Sequence, residues 1–227
     1  MVTLLLTLHA GPWKLVKEKA GIRVLTQKVE GSDYLAFEAT IVIDASIAEL
    51  LAVMYDTEAC PEWLYECSKG FTLEARSFEE NYVYELYDLT FPVSDRGVIL
   101  RSTLVWDKGV ARLTTEEVQD FCEGRQDSRC QQVKAIGAFP LARSRGEYRF
   151  ERLSAKRSKV RWRQHTEPGG SVPTWLVNVM IIDLPFESLK ALREIVKKPR
   201  YQGMTKNTLR TAWQKEYDHS HNTEGVR

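Results

Sequence analysis

Two charged residues interrupt apolar alternation in the middle of the chain. Glu85 stands in VYELYDLTF and Arg101 in GVILRSTL. In extended backbone, alternate residues share a face, so Glu85 lies with Val83, Tyr87 and Leu89, and Arg101 with Ile99, Thr103 and Val105. The turn formers of PVSDRG between them make the two strands neighbours. A charge among apolar residues survives burial only when it is paired, and the guanidinium fork of arginine matches a carboxylate. The expected arrangement is a buried Glu85–Arg101 pair. The alternative is an exposed cross-strand pair of little energetic weight.

Other reactive residue types lack the company their chemistry needs. His165 is flanked by neither a GxSxG nor an HExxH pattern, and His9, His219 and His221 belong to the terminal regions. A strand histidine without a nucleophile reads as structural. No metal site and no cofactor are expected. Six residues separate Cys60 from Cys67 and seven separate Cys122 from Cys130. That spacing fits neither a zinc ribbon nor a CxxC redox motif, so buried or idle thiols are expected.

Several elements must position these residues. GPWKLVKEKAG reads as a helix stopped near Gly21, followed by a strand. YLAFEATIVI is β-branched and aromatic and reads as a strand; Asp44 or Ser46 can then cap a helix, IAELLAVMYD, that buries Leu50, Leu51, Val53 and Met54. CPEWLYECSKG follows as a short helical connector. From Phe71 to Glu167 strand-like segments alternate with turns: FTLEARSFEENYVYELYDLTF, GVILRSTLVWD, ARLTTEEVQD, CQQVKAIGAF, RSRGEYRFERL and KVRWRQHTE. Regular short strands of this kind argue an antiparallel sheet.

A long helix from Pro173 to about Lys197 comes next. Its stretch WLVNVMIIDL, from Trp175 to Leu184, has only Asn178 and Asp183 as polar residues. A helix apolar all round is buried all round, and a sheet curling around it would bury it. Such a sheet can also leave an apolar cavity against the helix. Pro185 removes a donor to the Ile181 carbonyl and is expected to bend the helix. A polar tail helix, QGMTKNTLRTAWQKEYDH, ends the chain. No repeat, linker or low-complexity stretch divides the 227 residues, and one domain is expected.

Composition narrows the function classes. The chain is 43% hydrophobic and 28% charged, with net charge +1, so no global basic field points to nucleic acid. From Arg143 to Arg163 nine Lys/Arg residues face two Glu. They alternate as on a solvated sheet face; the sharper reading is a patch for transient contact with an anionic membrane surface. No stretch reaches the roughly 20 apolar residues of a membrane-spanning helix. MVTLLLTLHA lacks the basic start of a secretory signal. It reads as a docked first segment of a soluble chain, with a cytoplasmic location favoured over a trimmed export signal.

WKLVKEKAGIRV, FPVSDRGVILRS, EPGGSVPTWLVN and LPFESLKALR, in that order, resemble motifs of START (steroidogenic acute regulatory protein-related lipid transfer) domains. The resemblance spans about residues 13–196. It implies an α+β helix-grip fold: a curved antiparallel sheet around a long C-terminal helix, with an internal hydrophobic tunnel for one lipid. Sterol, bile acid, phospholipid and fatty acid all fit such a tunnel. The resemblance further implies that the acidic residue and the arginine pair inside the tunnel as a polar anchor. The expected ligand-binding residues are Glu85, Arg101, Tyr87, Phe91, Trp175, Val179 and Asp183. Those expected to gate the mouth are Pro92, Val93, Asp95, Arg96 and Pro185. The chain departs from the pattern at Gly97, where an acidic residue is common, and after Lys197, where it runs on. The expected function is non-catalytic lipid binding, transfer or sensing. A helix-grip enzyme of the polyketide cyclase or aromatase type is the alternative, and it needs acid–base groups converging in the tunnel.

Overall fold

A computed structural model describes residues 11–89, 93–170 and 172–224. Ten strands form one sheet in the order β1-β2-β3-β10-β9-β7-β6-β5-β4, with the short β8 (Phe139–Pro140) paired in parallel to β6. The long-strand pairings are antiparallel. The first three strands, β1 (Lys14–Lys19), β2 (Ile22–Lys28) and β3 (Leu35–Ile43), lead into helix α1 (Ile47–Tyr55) and the short α2 (Cys60–Trp63). Then come β4 (Cys67–Ser77), β5 (Glu80–Tyr87), β6 (Arg96–Asp107) and β7 (Val110–Glu117). Helix α3 (Ser128–Ile136) precedes β8; β9 (Arg143–Ser154) and β10 (Arg157–Glu167) close the sheet onto β3. Helices α4 (Thr174–Ile195) and α5 (Lys206–Glu224) end the described chain.

Sequence signals account for most of these boundaries. Ser46, not Asp44, caps α1: its side chain accepts from the Glu49 amide while Glu49 accepts from the Ser46 amide. This is the reciprocal box that Ser-x-x-Glu encodes. One face of the sheet carries the core. Val24, Ala39, Trp162, Tyr148, Leu113 and Leu104 lie in register across six strands and are all buried. Trp162 and Tyr148 stack with centroids 4.7 Å apart, and Phe37 meets Trp162 edge-on at 4.8 Å.

Three expectations are corrected here. Residues 14–19 form the edge strand β1, not a helix, and Ala20 and Gly21, both at positive φ, make a hairpin turn. The strand is almost wholly exposed, so it lacks the alternation that would have marked it. Residues 128–136 form α3, not a strand: Asp127 caps it through the Cys130 amide, and Gly137 ends it in the left-handed region. The cysteines are not idle thiols. Cys60 bonds to Cys67 and Cys122 to Cys130. The first bond ties α2 to β4. The second closes an excursion over the outer face of the sheet, where Phe121 stacks on Tyr82 at 4.6 Å and Arg125 reaches Glu74 at 2.6 Å.

Candidate ligand-binding site

Along β5, the inward-facing residues are Asn81, Val83, Glu85 and Tyr87. Opposite Glu85 stands Val98, whose face continues through Leu100 to Leu104. The Glu85 carboxylate therefore sits on the apolar side of the sheet. Tyr87 donates to it at 2.6 Å. Burial raises the Glu85 pKa, and the Tyr87 hydrogen bond opposes this only in part. Burial, reinforced by the neighbouring Glu85, pushes the phenols of Tyr87 and Tyr148 well above their ordinary value. The three residues make one cluster of hydrogen-bonding groups that resist ionisation, set among apolar side chains.

Arg101 is not part of this cluster. Its Cα partner on β5 is Tyr82, and its guanidinium meets Glu80 at 3.1 Å on the outer face, where its side chain is 47% exposed. The expected Glu85–Arg101 pair is thus corrected: the two residues lie on opposite faces of the sheet. Turn length decides this. In register, odd positions of β5 face the same way as even positions of β6, and a shift of one residue would have inverted the set. A hollow of about 470 Å³ on this outer side includes Arg101, Trp13 and His165, but Arg101, Arg145 and Arg163 around it are engaged by Glu80, Glu116 and Glu38.

A second polar group on the inner face escaped sequence reading. Gln164 donates to Ser144 Oγ at 2.9 Å and to Thr166 Oγ1 at 3.2 Å, and accepts from Trp162 Nε1 at 3.2 Å. Gly146 makes room for it; a Cβ there would strike the Gln164 carbonyl oxygen. The signal was a lone glycine in the middle of RSRGEYRF, which marks a close approach within a strand. His165, next in line, faces outward, half-buried, with Nε2 3.2 Å from Ser32 Oγ. Burial lowers its pKa.

The expected gating residues separate into distinct roles. Phe91 and Pro92 lie outside the described residues, as does MVTLLLTLHA. Val93 is half-buried and Asp95 exposed. Arg96 is buried, and it ties three segments together. Its guanidinium donates to the Ser94 carbonyl at 2.6 Å, to Pro168 at 3.0 Å and to Gly169 at 3.4 Å, and stacks on the Phe139 ring at 4.6 Å. Burial without a carboxylate partner lowers its pKa. Arg96, expected among the residues gating the mouth, is a staple between the β5–β6 loop and the turn that opens α4.

On α4, the expectation of burial all round is corrected. Trp175 is 69% and Val179 54% exposed, one helical turn apart, while Val177 and Ile181 face inward. Neither Trp175 nor Val179 lines an interior. Asp183 holds Lys17 of β1 at 2.8 Å near the surface. Pro185 is buried within the unbroken run from Thr174 to Ile195. Beyond it Phe186, Leu189, Leu192 and Ile195 are all buried.

A larger cleft, of about 1330 Å³, opens between α1, α5, strands β4 to β7 and the disulfide-closed excursion, which adds Phe121, Arg125, Asp127 and Arg129 to its wall. Inner-face residues Val83, Ser102 and Leu113 line it, with Met54 and Tyr55 of α1 and Trp213 of α5. It reaches the neighbours of the polar cluster, because Val83 precedes Glu85 on the same face of β5 and Leu113 is the Cα partner of Tyr148.

This architecture recurs in solved structures. A STAR-related lipid transfer protein fragment from Xanthomonas axonopodis is 27% identical and superposes with a TM-score of 0.71, covering 82% of this chain and 99% of that one. Human STARD10 superposes at 0.68 with 18% identity, covering 82% and 74%. The fold is a START-like helix-grip. The Zhui aromatase/cyclase of Streptomyces shares the START-like frame more distantly, at a TM-score of 0.50 and 15% identity over 71% of this chain and 93% of that one. An uncharacterised protein of Pseudomonas aeruginosa is 27% identical over 197 residues, 83% of this chain and 89% of its own. No family model matches the sequence. Of the two residues expected to pair, Glu85 faces inward against Tyr87, and Arg101 meets Glu80 on the solvent side.

Proposed function

We propose that the chain binds one apolar, lipid-like molecule bearing a hydrogen-bonding group, without catalysing its conversion. The observation that carries this reading is the Glu85–Tyr87–Tyr148 cluster, facing inward beside a large cleft. A carboxyl group whose pKa is raised can both donate and accept, so it suits a ligand hydroxyl or carboxylic acid better than a cationic head. Sterols, bile acids and fatty acids meet that description; a phospholipid meets it less well.

The aromatase/cyclase alternative needs a base that ionises near working pH beside the reacting carbon. In the cluster both phenols are held well above their ordinary value and His165 lies on the outer face, so Glu85 has no second group ionising near working pH converging with it. This favours a carrier or sensor. Native mass spectrometry of the purified protein tests the choice: a co-purifying lipid, displaced by a competing lipid of the same class and recovered unaltered, is the expected result. Conversion of a bound polyketide analogue would establish the enzyme instead.

Two further aspects of the reading follow from the surface. Cations of the Arg143–Arg163 strip meet carboxylates: Arg145 meets Glu116, Arg149 Glu151, Arg161 Glu147 and Arg163 Glu38. We therefore assign transient membrane contact to exposed Trp175 and Val179 on α4, and not to this strip. Two disulfides persist most readily in an oxidising compartment. We infer maturation in such a compartment over the cytoplasmic location expected from the N-terminal residues.

A further inference from the structure

The resemblance to START domains ends near residue 196, yet α5 packs back onto the fold and walls the larger cleft. Its inward side is Leu209, Ala212 and Trp213. Trp213 packs edge-on against Phe78 at 6.0 Å, and its indole N–H reaches Asn81 Oδ1 at 3.4 Å. Arg210 pairs with Glu79 at 2.8 Å, and Lys206 donates to the Trp106 carbonyl at 3.0 Å. The helix thus lies over the turn ends of β4–β5 and β6–β7.

Asn81 is also the first inward-facing residue of β5. The same face continues to Val83 and then to Glu85, about 13 Å from Asn81 at strand rise. One strand face therefore runs from the underside of α5 to the polar cluster. The cleft covers the first part of that path, since it includes Asn81, Val83, Ser102 and Leu113.

We infer that α5 roofs the mouth through which the ligand enters, and that the cleft beneath it is the ligand's binding site. The ligand is an elongated apolar molecule with one hydroxyl or carboxyl group. It enters polar end first along β5, brings that group to Glu85 and Tyr87, and leaves its apolar body against Leu113 and Trp213. This rests on the lipid-binding reading and adds its route and orientation.

The helix is built to release. Of its described cleft-facing residues Leu209 is buried and Trp213 half-buried against Phe78 and Asn81, and the Arg210–Glu79 pair at its rim is open to solvent. Helix α4 offers no comparable opening along its second half, where four large apolar residues are buried. Separating α5 uncovers Leu209 and the Trp213–Phe78 contact, whereas separating the second half of α4 uncovers four buried apolar side chains of the core.

The test uses the full chain with its disulfides intact. The described cysteines are all paired, so introduced cysteines react selectively with a maleimide. In one variant, Glu79→Cys and Arg210→Cys are joined by a short bis-maleimide to tether α5. In another, Lys17→Cys and Asp183→Cys are joined to tether α4. Uptake of dehydroergosterol and of a pyrene-labelled fatty acid is followed by fluorescence, with circular dichroism confirming each fold. Tethering α5 is expected to slow uptake about tenfold or more, and tethering α4 to leave it within about twofold of the untethered protein. An independent variant pair needs no crosslink. Arg210→Glu, which opposes Glu79 with a like charge, is expected to speed uptake, and adding Glu79→Arg to restore it. Wild-type binding with uptake insensitive to the α5 tether, or slowed by the α4 tether alone, overturns this inference and leaves the lipid reading intact. Failure of the wild type to bind either probe overturns the lipid reading and this inference with it.

Discussion

Helices α4 and α5 lie on the same sheet but are held in different ways. The second half of α4 is embedded through Phe186, Leu189, Leu192 and Ile195. Helix α5 is held by Leu209, a half-buried Trp213 and side-chain pairs at its rim. The more apolar helix is therefore the structural one, and the more polar helix is the one free to respond. Hydrophobicity in a helix reports how much it must bury, not whether it touches the ligand.

The largest expected effects fall on α4. Leu189→Ala or Leu192→Ala removes a fully buried side chain and should cost about 2–5 kcal/mol in urea unfolding. Native-state hydrogen exchange would extend the comparison. Amides of residues 188–195 should exchange only with global unfolding, and those of residues 207–213 through local opening at much lower free energy. Equal protection of the two helices would remove the distinction between them.

An intermediate effect is expected in the polar cluster. Tyr87→Phe deprives the half-buried Glu85 of its donor, which should cost about 1–3 kcal/mol of stability. The same substitution should weaken binding of a hydroxyl-bearing probe more than of its methyl ether. Equal loss for both probes would mean that the phenol supports the fold and does not read the ligand.

Two carboxylates should give opposite pH signatures. Burial alone would raise the Glu49 pKa, but Lys156 and the Ser46 and Gly203 amides outweigh it, and the value is lowered from 4.5. Glu49 thus contributes stability above the unfolded value, and this is lost as pH falls through the folded one. Glu85 is raised from the same 4.5. It penalises the folded state progressively as pH rises from the unfolded value to the folded one. Relative to the wild type, Glu49→Gln should therefore lose most stability near neutrality and least in acid. Glu85→Gln should gain as pH rises through that window. Since Glu49 also accepts from the Gly203 amide at 2.8 Å, its loss should loosen the lead-in to α5. Removing the cap alone, by Ser46→Ala, should cost about 0.5–2 kcal/mol.

Much of the frame was legible because it rests on local rules. Ser46 and Glu49 announced α1, and alternation announced β3, β5, β6, β9 and β10. What failed depended on distant partners. Lys14–Lys19 is a strand because β2 pairs with it, and its exposed side chains leave no apolar period to read. Residues 128–136 had their cap in Asp127 and their stop in Gly137, but a disulfide and packing over Phe71 fix where they lie. Tyr82 is buried on the outer face beneath Phe121 of that excursion, and Tyr84 against Phe71 of β4. Both faces of β5 therefore look apolar in sequence, and alternation could not say which face was inside. Trp175 misled in the opposite sense, as a large aromatic that the fold leaves exposed.

The smallest expected effect discriminates most sharply between the sequence reading and the structure. Arg101 and Glu85 share neither a face nor a partner: Arg101 meets Glu80 in solvent, and Glu85 meets Tyr87 within. An exposed pair is screened by water and salt, so Arg101→Ala should leave the unfolding midpoint and probe affinity essentially unchanged. Glu85→Gln should alter both. Because sites without shared partners add, the double variant should equal the sum of the two single ones in stability and in affinity. A coupling between them beyond about 0.5 kcal/mol would mean that Arg101 reaches the inner face when the ligand is bound. It would also restore the buried pair that the chain's alternation first suggested.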